Sequence, residues 1–285
     1  MQVPRKNLFV SVVLGTGLLM TAQAQVLMLN FRATGAPTGA NLTNSPYNTE
    51  NPSFSDTTWN NRSNSDVASG LFWADGSAST GVGYNLGIAD LATSTIVDLS
   101  SEVGKSSNLG SDTNTGIYVG NSVATGGIFD GTAADRLQVG LQITGLAAGT
   151  YEIYVTGRNT NGQSSGILPY TFYAGTGTAG QNFDFSGYNS ESVTFNGTAS
   201  TESWIEAGET DGNYGKFTIT LAAGEAINIV SNGDGGKATS SSPVGSANRG
   251  FLNSVQIVSI PEPHTWALIL GLGALAVVSI RRRQV

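Results

Sequence analysis

Residues 135–144 read Asp135-Arg-Leu137-Gln-Val139-Gly-Leu141-Gln-Ile143-Thr, so that apolar side chains occupy every second position. Alternation at period two is typical of a β-strand with one face in the core and the other in water. We therefore predict a half-buried strand whose inward residues are Leu137, Val139, Leu141 and Ile143. Between residues 25 and 260 no segment of a dozen residues carries a helical apolar stripe, so strands alone decide the fold class.

Short glycine-containing connections follow this strand and one other. Residues 145–149, Gly-Leu-Ala-Ala-Gly, lead into the alternating residues 151–156, and residues 222–224, Ala-Ala-Gly, join two further alternating segments, 217–221 and 226–230. A short connection that ends in glycine is typical of a tight hairpin, so we predict two hairpins. The two copies of Ile-Thr-(Gly)-Leu-Ala-Ala-Gly lie 76 residues apart, and they represent either an internal repeat or the same turn chemistry used twice.

The remaining body adds strands that are separated by loops rich in Gly, Asn, Ser and Thr. These strands are predicted at residues 25–33, 82–88, 94–99, 170–174, 182–186, 191–195 and 251–259. Many short strands separated by turns favour an all-β fold. We predict an antiparallel β-sandwich, jelly-roll-like, that spans residues 25–259 as one domain.

The composition excludes several classes of function. The chain has 285 residues, of which 39% are hydrophobic and only 12% charged. Residues 25–260 contain 8 Lys or Arg against 19 Asp or Glu, and this net charge of −11 excludes nucleic acid as a partner. Cysteine is absent, and the single histidine, His264, lies outside the body. Cysteine catalysis, Ser-His-Asp catalysis and thiolate zinc sites are therefore excluded in their usual forms.

The first 24 residues have the three parts of a secretory signal peptide. A basic pair at residues 5–6 precedes an apolar run at residues 8–20, and Ala22-Gln-Ala24 provides a small-x-small cleavage site for signal peptidase. Cleavage after Ala24 would make Gln25 the first residue. The apolar run is shorter than the ~20 residues of a membrane span, which favours a cleaved signal over an N-terminal anchor.

The C-terminal end carries a tripeptide, an apolar stretch and a basic cluster: Pro261-Glu262-Pro263, residues 266–280 and Arg281-Arg282-Arg283. As a helix the apolar stretch would be about 22 Å long, which predicts a single short transmembrane helix across a hydrocarbon core of ~30 Å. The three arginines act as a cytoplasmic stop, so the body would stay outside. The two prolines keep the tripeptide extended and accessible above the membrane.

In this order, the three elements resemble the sorting segment of the PEP-CTERM proteins of Gram-negative bacteria, over residues 260–285. The resemblance implies that the precursor is held transiently in the inner membrane. It also implies that an exosortase, a membrane transpeptidase-like enzyme, removes the tail and transfers the protein to the cell surface or the extracellular polysaccharide matrix. The alternative is an ordinary C-terminal membrane anchor.

Catalysis by carboxyl groups remains possible in a body without histidine and cysteine. Glycoside hydrolysis needs two carboxyl groups about 5 to 10 Å apart, and the candidates are Glu152, Glu191, Glu202, Glu206 and Glu225. Acidic residues at alternate strand positions also form an ordinary solvated face, so we predict no catalytic residue and interpret the protein as not an enzyme. A glycan hydrolase with a carboxylate pair, such as Glu202 and Glu206 around Trp204, is the alternative.

Two kinds of loop could hold a small ligand. Residues 130–135, residues 211–213 and residues 232–234 offer the carboxylate and amide oxygens that calcium prefers, although Asp-Gly and Asn-Gly also form turns. A structural calcium stays open, and we predict no other metal or cofactor. Gly175-Thr-Gly177-Thr-Ala-Gly180 matches a nucleotide-loop pattern, but a strand follows it where a helix is required, so we interpret it as a hairpin loop.

Aromatic rings beside amide-rich loops suit a polysaccharide ligand, and the alternative is that these rings fill the core between two sheets. Trp59 and Trp204 are the candidate glycan-binding residues, and Trp59 is the less core-like because its neighbours are Thr and Asn. We therefore expect an exported structural or adhesive protein of the cell surface or the extracellular matrix, with polysaccharide as a partner. A carbohydrate-binding module is a further alternative.

Overall fold

The computed structural model describes residues 24–32, 42–89, 94–97, 105–108, 116–118, 122–129, 138–158, 167–196, 202–233 and 250–261. As predicted, these ranges form mostly antiparallel β-sheet, together with one short helix, α1 (Pro46–Glu50), and two 3-10 turns, Gly116–Tyr118 and Val123–Thr125. None of the described helices has the length and apolar character that a membrane crossing requires. The strands are β1 (Val26–Phe31), β2 (Asn60–Arg62), β3 (Gly83–Ala89), β4 (Thr95–Val97), β5 (Lys105–Asn108), β6 (Gly126–Phe129), β7 (Gln138–Thr144), β8 (Gly149–Thr156), β9 (Ile167–Thr178), β10 (Phe183–Asp184), β11 (Asn189–Asn196), β12 (Gly215–Leu221), β13 (Glu225–Asn232), β14 (Phe251–Leu252) and β15 (Ser254–Ile260).

Two larger sheets and one small sheet contain these strands. The five-stranded sheet has the order β12-β8-β15-β1-β2, the seven-stranded sheet the order β10-β4-β3-β7-β13-β9-β11, and the small sheet the order β14-β6-β5. The described pairs are antiparallel except for β1 with β2, where Leu29 lies beside Asn60. Each strand predicted from the sequence overlaps a strand of the structure.

Side chains from both larger sheets enter one hydrophobic core. Leu29 of β1 and Ile153 of β8 come from the five-stranded sheet, and Leu141 of β7 and Ile229 of β13 come from the seven-stranded sheet. All four are completely buried. Burial of one such side chain contributes about 1.5–3 kcal/mol, so this shared core holds the two sheets against each other.

The prediction that β7 is half-buried is wrong, because both of its faces are covered. Val139, Leu141 and Ile143 face the core as expected, and Leu137 lies outside the described residues. Gln142 on the opposite face is completely buried as well. A Cβ on Gly140 would lie only 2.5 Å from the side chain of Ile96. The reason is the position of β7 as the fourth of seven strands, with residues 178–188 packed over its outer face.

The two predicted hairpins are also wrong. β7 and β8 belong to different sheets, as do β12 and β13, so each connection is a β-arch that crosses from one sheet to the other. Gly145 and Gly224 have φ values of +79° and +82°, which favour glycine. A left-handed glycine serves a hairpin and an arch equally well, so the turn residues alone do not distinguish them.

The two arches lie side by side. β7 pairs with β13, with Ile143 opposite Ile227, and β8 pairs with β12, with Gly149 opposite Leu221. Both connections therefore lie at the same end of the two sheets, which we call the arch end. The repeated sequence pattern therefore lies in two neighbouring connections that cross between the same two sheets.

The glycine-rich stretch at residues 175–180 is not the hairpin loop that the sequence predicts. Gly175 and Gly177 lie inside β9, and Gly180 lies in the turn that follows it. A Cβ on Gly175 would lie 2.6 Å from the ring of Tyr188, and one on Gly177 would lie 2.6 Å from the amide of Asn228. These glycines therefore let other side chains pack closely on the strand.

Candidate functional site

Residues of the two predicted processing sites meet at the arch end. β15 stays paired with β8 up to Ile260, which lies opposite Thr150, and the exposed Pro261 follows directly. The Gln25 N–H donates to Ser259 Oγ over 2.7 Å, and the Ser259 N–H donates to the Gln25 carbonyl over 2.9 Å. The predicted first residue of the processed chain thus touches a residue two positions before Pro261.

Most residues of the two terminal predictions lie outside the described ranges. These are the predicted transmembrane helix, most of the signal peptide with Ala22, the tripeptide residues Glu262 and Pro263, and the cytoplasmic stop Arg281, Arg282 and Arg283. Ala24 is described and lies half-buried beside the start of β1.

A cluster of charged and phenolic side chains lies on the outer face of the five-stranded sheet. Its members, which we call the Glu50 cluster, are Glu50, Glu152, Tyr154, Tyr214 and Lys216. Tyr154 Oη lies 2.9 Å from Glu50 Oε2 and 2.7 Å from Glu152 Oε2. Tyr214 Oη donates to Glu50 Oε1 over 2.5 Å. Lys216 Nζ lies 2.6 Å from Glu50 and 3.2 Å from Glu152, so one ammonium group serves both carboxylates.

Three elements bring the Glu50 cluster together. Glu152 and Tyr154 alternate with inward residues of β8, and Lys216 on β12 lies directly opposite Tyr154. Glu50 is the last residue of α1, whose N-terminus is capped by the Ser45 hydroxyl. The sequence analysis named only Glu152 among these residues. The i, i+2 spacing of Glu152 with Tyr154 was a signal for a shared face, but the pairing of β8 with β12 is not visible in the sequence.

The electrostatics of the Glu50 cluster favour the ionised forms of Glu50 and Lys216. Burial raises the pKa of Glu50, but hydrogen bonds from Lys216, Tyr214 and Tyr154 outweigh this and hold the pKa below its usual value. Burial lowers the pKa of Lys216, but its hydrogen bonds with the two carboxylates outweigh this and raise it. A general acid in glycoside hydrolysis needs a raised carboxyl pKa. Glu50 is therefore suited to a salt bridge that holds α1 against the sheet.

The other candidate glutamates have separate roles. Glu202 and Glu206 are both exposed. Glu191 is half-buried, and its pKa is raised first by burial and then by the negative charge of Glu206. Glu225 Oε2 accepts a hydrogen bond from the Ala222 N–H over 2.9 Å and so caps the second arch.

Trp59, the less core-like of the two candidate tryptophans in the sequence, is buried. It is 9% exposed and packs with Met28 and Tyr154 in a second hydrophobic cluster, between the five-stranded sheet and residues 42–59. Its polar neighbour Asn60 misled the prediction, because the Asn60 side chain is itself buried and donates to the carbonyls of Met28 and Phe72 over 3.1 and 2.8 Å. Polar residues beside a tryptophan therefore do not show that its ring is exposed.

Trp204 is half-buried and packs against the same second cluster. Its Nε1 donates to Asn44 Oδ1 over 2.7 Å, which fixes the ring in place. Glycan binding by Trp204 stays a prediction.

The calcium prediction falls partly outside the described ranges, which exclude residues 130–135 and Asp234. In the loop at residues 211–213, Asn213 is completely buried, and its side chain bonds to the Ser203 carbonyl and the Ile205 N–H over 2.6 and 2.9 Å. Its amide therefore holds the loop together. Within the described part of the chain, no three or more His, Asp or Glu side chains are grouped so as to hold a metal ion.

An open groove of about 360 Å³ lies between the end of β9, the start of β11 and the edge strand β12. Its nine lining residues are uncharged and include Thr176, Tyr188, Asn189, Thr218 and Thr220. The Tyr188 hydroxyl donates to the Thr176 carbonyl over 3.0 Å and accepts from Asn228 Nδ2 over 2.8 Å, so its ring is held in a fixed position. The groove therefore offers hydroxyl and amide groups without any charge.

A comparison with known protein families matches residues 259–283, from the last two residues of β15 onward, to the PEP-CTERM protein-sorting motif. This chain carries a PEP-CTERM motif. The match confirms the resemblance noted in the sequence, and it implies an exported, membrane-anchored precursor that an exosortase processes. The matched range covers the C-terminal end of the chain.

Comparisons of the whole chain add little to the PEP-CTERM match. No curated protein matches this chain. Among solved structures, the isomalto-dextranase of Arthrobacter globiformis T6, complexed with panose, is similar at 19% sequence identity and a TM-score of 0.27. The similarity covers 54% of this chain and 22% of the dextranase chain. At this TM-score it supports no statement about function.

Proposed function

We propose that this protein is a structural or adhesive component of the cell surface or extracellular matrix of a Gram-negative bacterium. The PEP-CTERM motif at residues 259–283 carries the proposal, because it implies export and processing by an exosortase. Signal peptidase would act at Ala24 before the exosortase acts near residues 261–263. A chain with only 12% charged residues and many Ser, Thr, Asn and Gly residues suits a hydrated polysaccharide environment.

A role without turnover is supported by the geometry of the Glu50 cluster. Glu50 and Glu152 share one tyrosine hydroxyl and one lysine, as a salt-bridged pair does. The lowered pKa of Glu50 keeps this carboxylate ionised at neutral pH. We therefore assign the cluster to holding the fold together.

The fold belongs to the same proposal. Two antiparallel sheets that contribute to one hydrophobic core are the arrangement of a β-sandwich. We assign the domain to the jelly-roll-like sandwiches, which serve as binding and structural modules on many surfaces.

The intact mass of the protein from its native cells, with both termini mapped and the cell fraction recorded, tests the proposal. We expect a start at Gln25, loss of the tail near residues 261–263, and recovery from the surface or the medium. Replacing Arg281, Arg282 and Arg283 with glutamine should alter processing, whereas the control Arg62→Gln removes a positive charge from the folded body and should not. A wild-type protein that keeps residues 266–283 in the membrane fraction would contradict the proposal.

A second candidate function, binding of a neutral glycan, is favoured by the uncharged groove. Thr218 and Thr220 line it and lie at alternate positions of an edge strand, where hydroxyls at this spacing can bond to successive sugar hydroxyls. We expect Thr218→Val combined with Thr220→Val to weaken retention on polysaccharide from the same cells in affinity electrophoresis. Ser203→Ala, an exposed change elsewhere, is the control. Equal retention of both variants would rule out this groove.

A further inference from the structure

The arch end combines the exit of the PEP-CTERM tail with an uncharged, partly apolar surface. The arch residues Ala147, Ala148, Ala222 and Ala223 are all exposed. Ile260, where β15 ends, is 40% exposed and is one of two large exposed hydrophobic residues in the described part of the chain.

The tether between this end and the membrane is short. Ile260 is held by its pairing with Thr150, and only five residues, 261–265, separate it from the apolar stretch that begins at Trp266. Five residues span at most about 18 Å when fully extended. Because the headgroup layer itself takes up about 5–7 Å, the end of β15 lies within about 12 Å of the headgroups in the anchored precursor.

The start of the body leaves from the same end. Gln25 bonds to Ser259 in both directions, so before signal cleavage the segment that ends at Ala24 also joins the body here. Both segments predicted to enter the membrane are therefore connected to the same end of the two sheets. An end that is tethered twice is held towards the lipid.

The charge distribution fits a lipid neighbour. Residues 25–260 carry 19 acidic against 8 basic residues, and anionic headgroups repel an acidic surface. The exposed arch residues carry no charge, and Glu225, beside the second arch, is engaged with the Ala222 N–H. The nearest aspartates that the structure groups with this end are Asp56 and Asp75, which line a small pocket together with Gln25.

We propose that the arch end is a lipid-facing surface of the anchored precursor. Residues 147–148, residues 222–224 and Ile260 rest on the headgroups of the outer leaflet, and the two sheets stand upright above them. This orientation presents Pro261 at the edge of the contact, where a membrane enzyme reaches it from the side. The inference rests on the proposed function, because it requires a tail that is anchored in the membrane.

The absence of cysteine makes site-specific labelling direct. Ala148→Cys and Ala223→Cys place a fluorophore on each arch. Ser203→Cys places it at an exposed control position near Asn213, at the end of β12 that lies away from the arches. The full chain is reconstituted in vesicles of phosphatidylethanolamine and phosphatidylglycerol that carry a headgroup quencher. We expect several-fold stronger quenching at positions 148 and 223 than at 203. Unchanged melting temperatures would show that the labelled variants are folded.

The failures of the two proposals are distinguishable in this experiment. If the chain floats with the vesicles but all three positions are quenched equally, the lipid-facing surface is overturned while the anchorage stands. If the fluorescence at positions 148 and 223 changes only after an exosortase is added, and not on reconstitution in vesicles alone, the surface contacts the enzyme and the lipid assignment is overturned. If the chain does not float with the vesicles, the anchored precursor is contradicted, and the inference falls with it.

Discussion

The outer faces of the two larger sheets are covered by chain segments that are held in contrasting ways. Residues 42–59, which include α1, cover the five-stranded sheet through the Glu50 cluster, whose ion-paired side chains stay 23–28% exposed. Residues 178–188 cover the seven-stranded sheet through the amides of Gln142 and Asn228, which are completely buried. Both segments also make apolar contacts, but the polar contacts of the first are charged and partly exposed, and those of the second are neutral and use buried amides.

The side-chain amides of Gln142 and Asn228, together with the backbone of residues 178–181, form a hydrogen-bond network that we call the amide network. Gln142 Nε2 donates to Asn228 Oδ1 over 2.9 Å and lies within 3.3 Å of the Thr178 and Gln181 carbonyls, and the Gly180 N–H donates to Gln142 Oε1 over 2.5 Å. A buried network of this kind stabilises only while it is complete, since an unpaired buried group is costly. The neutral contact should therefore be the stronger of the two and insensitive to pH, whereas the charged contact should be weaker and pH-dependent.

The largest effect should come from removing the centre of the amide network. Gln142→Leu keeps the volume but leaves the Gly180 N–H and Asn228 Oδ1 without their partner, and we expect a loss of about 3 kcal/mol in the free energy of unfolding. Urea unfolding measures it, with the exposed Thr218→Val as control. A loss no greater than that of the control would contradict the importance of the network.

The side chain of Ile96, which packs closely on Gly140 on the same face, gives the next effect. A Cβ at residue 140 would lie 2.5 Å from Ile96, so Gly140→Ala should cost about 1–3 kcal/mol through overpacking. Gly187→Ala is the matched control, because a Cβ there meets nothing within 4 Å. Equal midpoints for the two variants in urea would show that Ile96 yields without strain.

The charged contact should show a smaller effect that depends on acid. The lowered pKa of Glu50 means that its stabilisation is present above the usual value of 4.5 and is lost as the pH falls through the lower folded value. Glu50→Gln should therefore cost about 1 kcal/mol at pH 7, after allowance for partial exposure, and flatten the decline below pH 4.5. Urea unfolding between pH 3 and 7 measures it. Gln142→Leu should keep the wild-type acid dependence. Loss of that dependence would contradict the claim that the neutral contact is insensitive to pH.

The smallest effect should appear in alkali. Burial and then the hydrogen bond to Glu50 raise the pKa of Tyr214, so the stabilisation it provides is present below the usual value of 10 and is lost as the pH rises above it. Tyr214→Phe should shift the onset of alkaline unfolding upward by a small amount, as followed by circular dichroism. An onset identical to that of the wild type would exclude Tyr214 as a contributor.

The positions of the strands follow from the sequence because period-two alternation is a local property, as in β12, where Phe217, Ile219 and Leu221 all face the core. The partners of the strands do not follow, because Gly145 and Gly224 permit a hairpin as readily as an arch. The Glu50 cluster was missed for the same reason, since α1, β8 and β12 meet only in three dimensions. Trp59 was misjudged because the amide of Asn60 bonds inward.

The β-arches also set the order in which the exported chain can fold. Neither arch joins strands that pair with each other: β7 has β3 as an earlier partner and gains β13 later, whereas β8 waits for both of its partners, β12 and β15. Pairings between distant segments form slowly, which keeps the chain extended while it crosses the membrane. β15 completes the five-stranded sheet and ends one residue before Pro261. The sheet therefore closes only when the sorting segment itself emerges, so folding of the body and exposure of the sorting signal coincide in time.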